Sequence, residues 1–258
     1  MRRFPERFKN LIKKINMTKQ KKQNSDPVAC RIPKAVDEEN FDINSLESSE
    51  SVTWRIFRIM SEFVSGFQFI GQYKKVVSFF GSARCEEGSK YYIEAYELSK
   101  KLSKAGFSVI TGGGPGIMEA GNRGAYETGT QSLGLNIQLP FEQRINRYVA
   151  KGIGFHYFFT RKVMLSAAGQ AYVFFPGGYG TLDEFFEIIT LIQTQKMEKI
   201  PVVLYGGDFW GPVESFLKEV VFEKYSNIDK EDLNLFHVSD SVEDAYRIIS
   251  KSKPRKDF

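Results

Sequence analysis

Between Phe175 and Glu184 the chain reads Phe-Pro-Gly-Gly-Tyr-Gly-Thr-Leu-Asp-Glu, three glycines in four positions followed by two carboxylates. Glycines at a strand-to-helix turn let backbone N–H groups approach an anion, and a helix N-terminus adds unpaired donors and the positive end of a dipole. Gly177, Gly178, Gly180 and Thr181 therefore suit a phosphate. Two roles stand open for Glu184. It can complete a T-x-x-E capping box with Thr181, or it can be a catalytic carboxylate beside a sugar, stabilising an oxocarbenium-like transition state or orienting water. Asp183 is its nearest rival, with a less favourable capping position.

Two other small-residue loops carry the same promise. Gly112-Gly113-Gly114-Pro115-Gly116 is not a Walker A loop, since no Gly-Lys-Ser/Thr follows. It also departs from G-x-G-x-x-G, because Ile117 takes the third glycine position. That favours a nucleoside monophosphate or another sugar phosphate over a dinucleotide or a nucleoside triphosphate with Mg²⁺. Gly81-Ser82-Ala83-Arg84 is the third loop, and all three could line one crevice. Arg161 and Lys162 read as the opening of a helix, where cations oppose the dipole. Without local compensation the pair implies an expected anion; the plainer reading is a solvated charge pair. His156 reads as a packed residue of an aromatic run and His237 as a strand-end residue. Two histidines make neither a His-containing triad nor a His-rich metal site.

What positions these residues is an alternation of apolar strands and amphipathic helices. Strands are predicted at Val76–Phe80, Phe107–Ile110, about Leu133–Leu139, Ala171–Phe175, Val202–Tyr205 and Leu235–Val238. Helices are predicted from Tyr91 to Ala105, from the loop at Gly116 to Gly129, from Arg161, after Thr181, after Trp210 and over Val242–Ser250. The polar stretch Pro140–Lys151 is expected to be loop. This is the pattern of an α/β, Rossmann-like, doubly wound and mostly parallel sheet with helices on both faces. Ligands then bind beyond the carboxyl ends of the strands, at a topological switch point.

The 258 residues, 42% hydrophobic and 26% charged, fit one catalytic domain over 51–252 preceded by a loosely ordered arm over 1–50. The positive charge behind the net +5 belongs to the first 25 residues of that arm. Residues 1–25 hold nine of the 36 basic residues but one of the 31 acidic ones, so the rest of the chain is net −3. A nucleic-acid-binding face is thus not indicated. Phe4, Phe8, Leu11, Ile12 and Ile15 would share one face of a basic amphipathic helix, suited to a membrane surface or a partner, or simply a solvated tail. Trp54, Phe57, Ile59, Met60, Phe63, Val64, Phe67 and Phe69 form an aromatic helical run expected to pack on the core or between subunits. No run approaches a membrane span, and no secretory signal opens the chain. Two distant cysteines, Cys30 and Cys85, suit a reducing cytosol, so a cytoplasmic protein is expected.

Pro176 through Glu184 fits the P-G-G-x-G-T-x-x-E signature of the LOG ("lonely guy") family, the cytokinin riboside 5′-monophosphate phosphoribohydrolases long labelled lysine decarboxylases. Arg161-Lys162 with Met164, and the Gly112–Met118 loop, resemble the family's in the same order, over about residues 54–250. The resemblance implies cleavage of an N-glycosidic bond to free base and ribose 5-phosphate, without metal or organic cofactor. It implies that Arg161 and Glu184 are required for hydrolysis, and that Gly177, Gly178, Gly180 and Thr181 hold the 5′-phosphate. Lys162, Met118, Thr190 and Glu142 then line the nucleotide site, with Ser82, Arg84, Gly113 and Gly114 on the neighbouring loops. It also implies a homo-oligomer. The loop Phe141–Asn146 and the N-terminal arm depart from plant-type members, which leaves AMP or another nucleoside monophosphate open as substrate. The alternative within the superfamily is a non-catalytic carrier of a nucleotide or of molybdenum cofactor. Lysine decarboxylation would need a lysine Schiff base with pyridoxal phosphate, and no lysine here stands in such a setting.

Overall fold

Short runs of β-branched and aromatic residues that must be buried on both sides build the sheet. The computed structural model describes residues 49–138 and 145–253. The expected arm, apart from Ser49 and Glu50, and the loop residue Glu142 lie outside them. Strands β1 (Val76–Phe80), β2 (Ser108–Thr111), β3 (Ser132–Ile137), β4 (Lys151–Phe155), β5 (Ala171–Phe174), β6 (Val202–Tyr205) and β7 (His237–Ser239) form one sheet in the order β4-β3-β2-β1-β5-β6-β7. Every neighbouring pair is parallel.

The helices are α1 (Ser49–Ile70), α2 (Lys90–Lys104), α3 (Ile117–Glu127), α4 (Phe158–Ala168), α5 (Tyr179–Gln193), α6 (Gly207–Ser215) and α7 (Val242–Ile249). A π-helical stretch, Phe216–Lys224, continues α6, and a 3₁₀ turn spans Lys230–Asn234. Alternate strand residues feed two cores. Val77, Phe79, Val173 and Val203 pack with Leu98, Leu102, Ile117 and Ile249 of α2, α3 and α7. Val76, Phe80, Phe174 and Leu204 pack on the other side with Ile70, Met164, Phe185 and Ile188 of α1, α4 and α5. The sheet is therefore doubly wound, as its sequence pattern predicts. The chain leaves β1 toward β2, β3 and β4, then returns to β5 on the opposite side of β1. The switch point is the β1/β5 seam.

Three expectations change here. Lys151, expected to end a loop, instead opens edge strand β4, whose Gly152 and Gly154 hide the usual strand signal. Helix α1 is the larger departure. Its C-terminal half packs through Phe63, Phe69 and Ile70. Its Glu62 carboxylate accepts from His156 N at 2.7 Å, from Tyr157 N and from Thr160 Oγ1, capping α4 from a distance. The N-terminal half stands clear of the sheet, with residues 52–58 exposed on every side and Trp54 74% exposed. Core packing does not account for that half. His156 is likewise exposed rather than packed, edge-on to Tyr157.

Candidate active site

Three loops meet at the β1/β5 seam. Ser82, just past β1, donates its N–H to the Pro176 carbonyl at 3.0 Å, and its own carbonyl accepts from Ile117 N at 3.1 Å. One residue thus ties the loop after β1 to those after β5 and β2. Such contact leaves no room for side chains. A Cβ on Gly116, where φ is +70°, would lie 2.3 Å from the Ser82 carbonyl oxygen, and one on Gly177 would lie 2.1 Å from Thr181 Oγ1. By contrast, a Cβ on Gly178 or Gly180 would meet no heavy atom within 4 Å. Packing does not demand glycine there; the two residues leave open space at the start of α5, which suits an anion seated on the helix N-terminus. The Ser82 hydroxyl accepts from Arg84 N, and the Arg84 side chain is exposed at the rim.

The capping box is not formed. Helix α5 begins at Tyr179, with Gly178 as its N-cap and no side chain capping it. Thr181 and Glu184 therefore lie inside the helix, both buried. Gly178 can adopt the extended N-cap backbone as well as Thr181 can, which lets the helix start three residues early. This removes the bland role of Glu184. Its carboxylate is 8% exposed and Oε2 has no partner among the described residues. Burial first, then the nearby Glu187, pushes its pKa up to about 7, against the opposing pull of Lys162 and Arg161. Asp183, by contrast, is exposed and ion-paired with Lys162, so of the two carboxylates Glu184 is the buried one.

Arg161 comes from α4, which begins at Phe158, three residues before the expected start. Its Nε donates to the Leu135 carbonyl at 2.9 Å at the end of β3, and its guanidinium lies against Gly112. Enclosure lowers its pKa from the ordinary value, while attraction to Glu184 works the other way. The two attract without closing an ion pair among the described residues, which leaves both free to face a third group. Lys162 is not the uncompensated cation expected from sequence. Its Nζ donates to Asp183 Oδ2 at 2.6 Å and forms an ion pair with Glu187 Oε2 at 2.9 Å, clamping α4 to α5. Burial opposes its charge, and the two carboxylates outweigh that and raise its pKa.

Met118 folds back over Gly112 and Gly114, so a Cβ on Gly112 would meet Met118 Sδ at 2.8 Å and Arg161 Nη2 at 2.5 Å. Gly113, at φ +74°, donates to Thr111 Oγ1 and accepts from Asn146 N. Thr190 is not gathered with these groups. It is exposed about 9 Å along α5 from Glu184, its hydroxyl bonded to the Phe186 carbonyl of its own helix.

Behind the second loop lies a buried amide network. Thr111 Oγ1 donates to Asn122 Oδ1 at 2.6 Å, and Asn146 Nδ2 donates to the Gly114 carbonyl at 2.9 Å and to Asn122 Oδ1 at 3.0 Å. Asn122 Nδ2 donates to Ser132 Oγ and the Leu133 carbonyl. Asn136 stands beside it with its amide against Gly113. None of the side chains in this network was singled out from sequence. Only Asn136 offers a signal, as an asparagine in a buried strand, a residue depleted there.

Residues 118–249 match the model of a family described as "Possible lysine decarboxylase". A rice (Oryza sativa subsp. japonica) protein named cytokinin riboside 5′-monophosphate phosphoribohydrolase LOG is 29% identical over 160 residues, covering 60% of this chain and 64% of the relative. The chain thus spans less than two thirds of that relative's length. A protein of the same activity name from Rhodococcoides fascians is 23% identical over 154 residues, covering 58% of this chain and 78% of the relative. Among solved structures, the molybdenum cofactor carrier protein of Chlamydomonas reinhardtii superposes with a TM-score of 0.52 at 23% identity, covering 67% of this chain and 94% of its own. At that identity the likeness speaks for the fold.

Proposed function

Since the chain belongs to the family described as possible lysine decarboxylases, among whose curated relatives are the cytokinin riboside 5′-monophosphate phosphoribohydrolases, we propose that it hydrolyses the N-glycosidic bond of a nucleoside 5′-monophosphate. The products are the free base and ribose 5-phosphate. The observation that carries this is Glu184: a buried carboxylate with an unpartnered oxygen, facing Arg161 one turn from an open glycine loop.

The 5′-phosphate sits on the loop 177–181, held by backbone N–H groups and the end of the α5 dipole. The ribose then lies over the first turn of α5, between Glu184 and Arg161. Ionised Glu184 stabilises the positive charge that develops at C1′ and accepts the proton of the attacking water as the new C–O bond forms. The bond to the base breaks with its electron pair, and the departing nitrogen is protonated from solvent. Arg161 holds the sugar and phosphate oxygens in place. Lys162 positions Glu184 through Asp183 and Glu187, and its charge keeps the Glu184 pKa from rising further.

The working unit is a single catalytic domain over 51–252 in a cytoplasmic enzyme, a compartment in keeping with the free thiol of Cys85. A second copy of the chain covers the apolar face of α1 and α4. Support comes from Trp54, Phe57, Met60, Phe158 and Phe159, each 46% exposed or more. With roughly 200 Å² per aromatic side chain, their exposed portions and those of their neighbours approach the ~800 Å² that one partner gives to a standard interface.

Incubating the protein with AMP, isopentenyladenosine monophosphate and the other common nucleoside monophosphates, and following free base, tests the activity. Release from at least one is expected. No release from any by folded protein would overturn it, and tight binding without turnover would favour a non-catalytic carrier.

A further inference from the structure

Helix α4 delivers Arg161 and Lys162 to the crevice, yet its own sequence starts it poorly. Its first turn contains no acidic residue, and its N-cap, Tyr157, makes no side-chain cap. Two cations near the start of a helix oppose its dipole, and the leading N–H groups need partners from elsewhere. Glu62 of α1 meets both needs. Its carboxylate accepts from His156 N at 2.7 Å, from Tyr157 N at 3.4 Å and from the hydroxyl of Thr160, the residue before Arg161. The α5 carboxylates Asp183 and Glu187 pair with the Lys162 side chain and leave the backbone start of α4 to Glu62.

A second contact fixes the same two helices one turn along. A Cβ on Gly66 would lie 2.5 Å from Met164 Sδ and 3.3 Å from the Phe155 ring, so α1 lies directly on α4 there. Glu62 and Gly66 are four residues apart on α1, and Thr160 and Met164 are four apart on α4, each pair on one helix face. Helix α4 is thus pinned to α1 at its start and again at Met164. Arg161 leaves α4 between these points, its Nε on the Leu135 carbonyl and its guanidinium against Gly112. We propose that Glu62 is a positioning residue for Arg161: by holding the start of α4 against α1, its carboxylate sets where the guanidinium stands in the crevice. The inference rests on the reading of Arg161 as a residue of the site and adds the group that holds it there. It also gives α1 a part in the chemistry that its packing alone does not require.

The test reads Arg161 itself and needs no ligand. In side-chain ¹⁵N spectra of the full chain, with the Arg161 signal assigned by its loss in Arg161→Lys, the Nε–H bonded to Leu135 is expected to exchange slowly with solvent. Glu62→Ala should speed that exchange about ten-fold or more, the scale of one charge-assisted bond. Glu62→Gln keeps an acceptor for His156 N and should speed it by less. In hydrolysis of AMP, Glu62→Ala should lower kcat/KM by about 10²-fold, the scale of a misplacement near 1 Å. Added to Arg161→Lys it should cost little more, because both changes act on one group. Unchanged Arg161 exchange in folded Glu62→Ala overturns the inference, as do losses that multiply in the double variant, which would mark Glu62 as a stabiliser only. If Glu62→Ala fails to fold, Glu62→Gln carries both measurements, and exchange in it equal to wild type overturns the inference. A wild type that hydrolyses no nucleoside monophosphate, with the exchange difference intact, sinks the proposed reaction alone; hydrolysis with the exchange unchanged sinks this inference alone.

Discussion

Replacing Glu184 by Gln should stabilise the protein while removing its activity, and the gain should depend on pH. In the folded chain burial holds the carboxyl near 7, whereas its ordinary value is 4.5. Below 4.5 the group is protonated whether folded or unfolded, and the side chain behaves much as Gln would. Between 4.5 and 7 the unfolded chain releases the proton and the folded one keeps it, so stability falls as pH rises. Above 7 both are ionised and the folded state carries the full penalty. That penalty is about 3 kcal/mol, taking 1.36 kcal/mol for each tenfold change in the ionisation equilibrium. Urea unfolding of wild type and Glu184→Gln from pH 4.5 to 8.5 reads it directly. Other titrating groups largely cancel in the difference. The variant should be within about 1 kcal/mol of wild type near pH 5 and about 3 kcal/mol more stable at pH 8. For a chain this long that corresponds to roughly 6–12 °C in melting temperature. A difference that is flat with pH, or a Gln variant less stable at pH 8, would refute a desolvated carboxylate here and restore a structural role for Glu184.

The other expectations follow from the same geometry. Gly178→Ala, whose Cβ enters open space, should fold with a loss of no more than about 1 kcal/mol, alanine being the poorer N-cap residue, and should weaken phosphate binding in a titration. Gly177→Ala, whose Cβ would overlap Thr181, should lose both stability and binding, by about 1–3 kcal/mol in unfolding. Equal stability of the two variants would contradict the loop packing. Lys162→Met removes a charge that lowers the Glu184 pKa, so the acid limb of the kcat/KM profile should move to higher pH; an unmoved limb would show that Lys162 does not act through Glu184. Trp54→Asp together with Phe57→Asp should convert an oligomer to monomer in sedimentation velocity at neutral pH. A monomeric wild type would instead leave the exposed half of α1 for a different partner.

Much of the scaffold was legible because its signals are local. Apolar runs such as Val76–Phe80 and Val202–Tyr205 can only be strands buried on both faces, and the glycine loops mark where those strands end. Residues 151–155 were not legible as a strand because Gly152 and Gly154 carry no side chain to alternate. The start of α5 was misplaced because a T-x-x-E pattern looks the same whether it caps a helix or lies within one. Only the backbone at Gly178 distinguishes them. Lys162 looked uncompensated because its partners, Asp183 and Glu187, stand 21 and 25 residues later in the chain. The contact of Asn136 was hidden for the same reason: its neighbour Gly113 lies on another strand's loop. Aromatic residues announced α1 as buried, yet periodicity does not say whether the cover comes from the same chain.

The central claim is that Glu184 and Arg161 cleave an N-glycosidic bond over a phosphate held at the loop 177–181. Its most direct test is product analysis of the wild type and Glu184→Gln incubated with AMP, quantifying adenine and ribose 5-phosphate together. The account expects both products from the wild type in equal amounts, and neither from the variant, which should still bind AMP. Equal product release by Glu184→Gln, or loss of AMP by the wild type without matching ribose 5-phosphate, would contradict it.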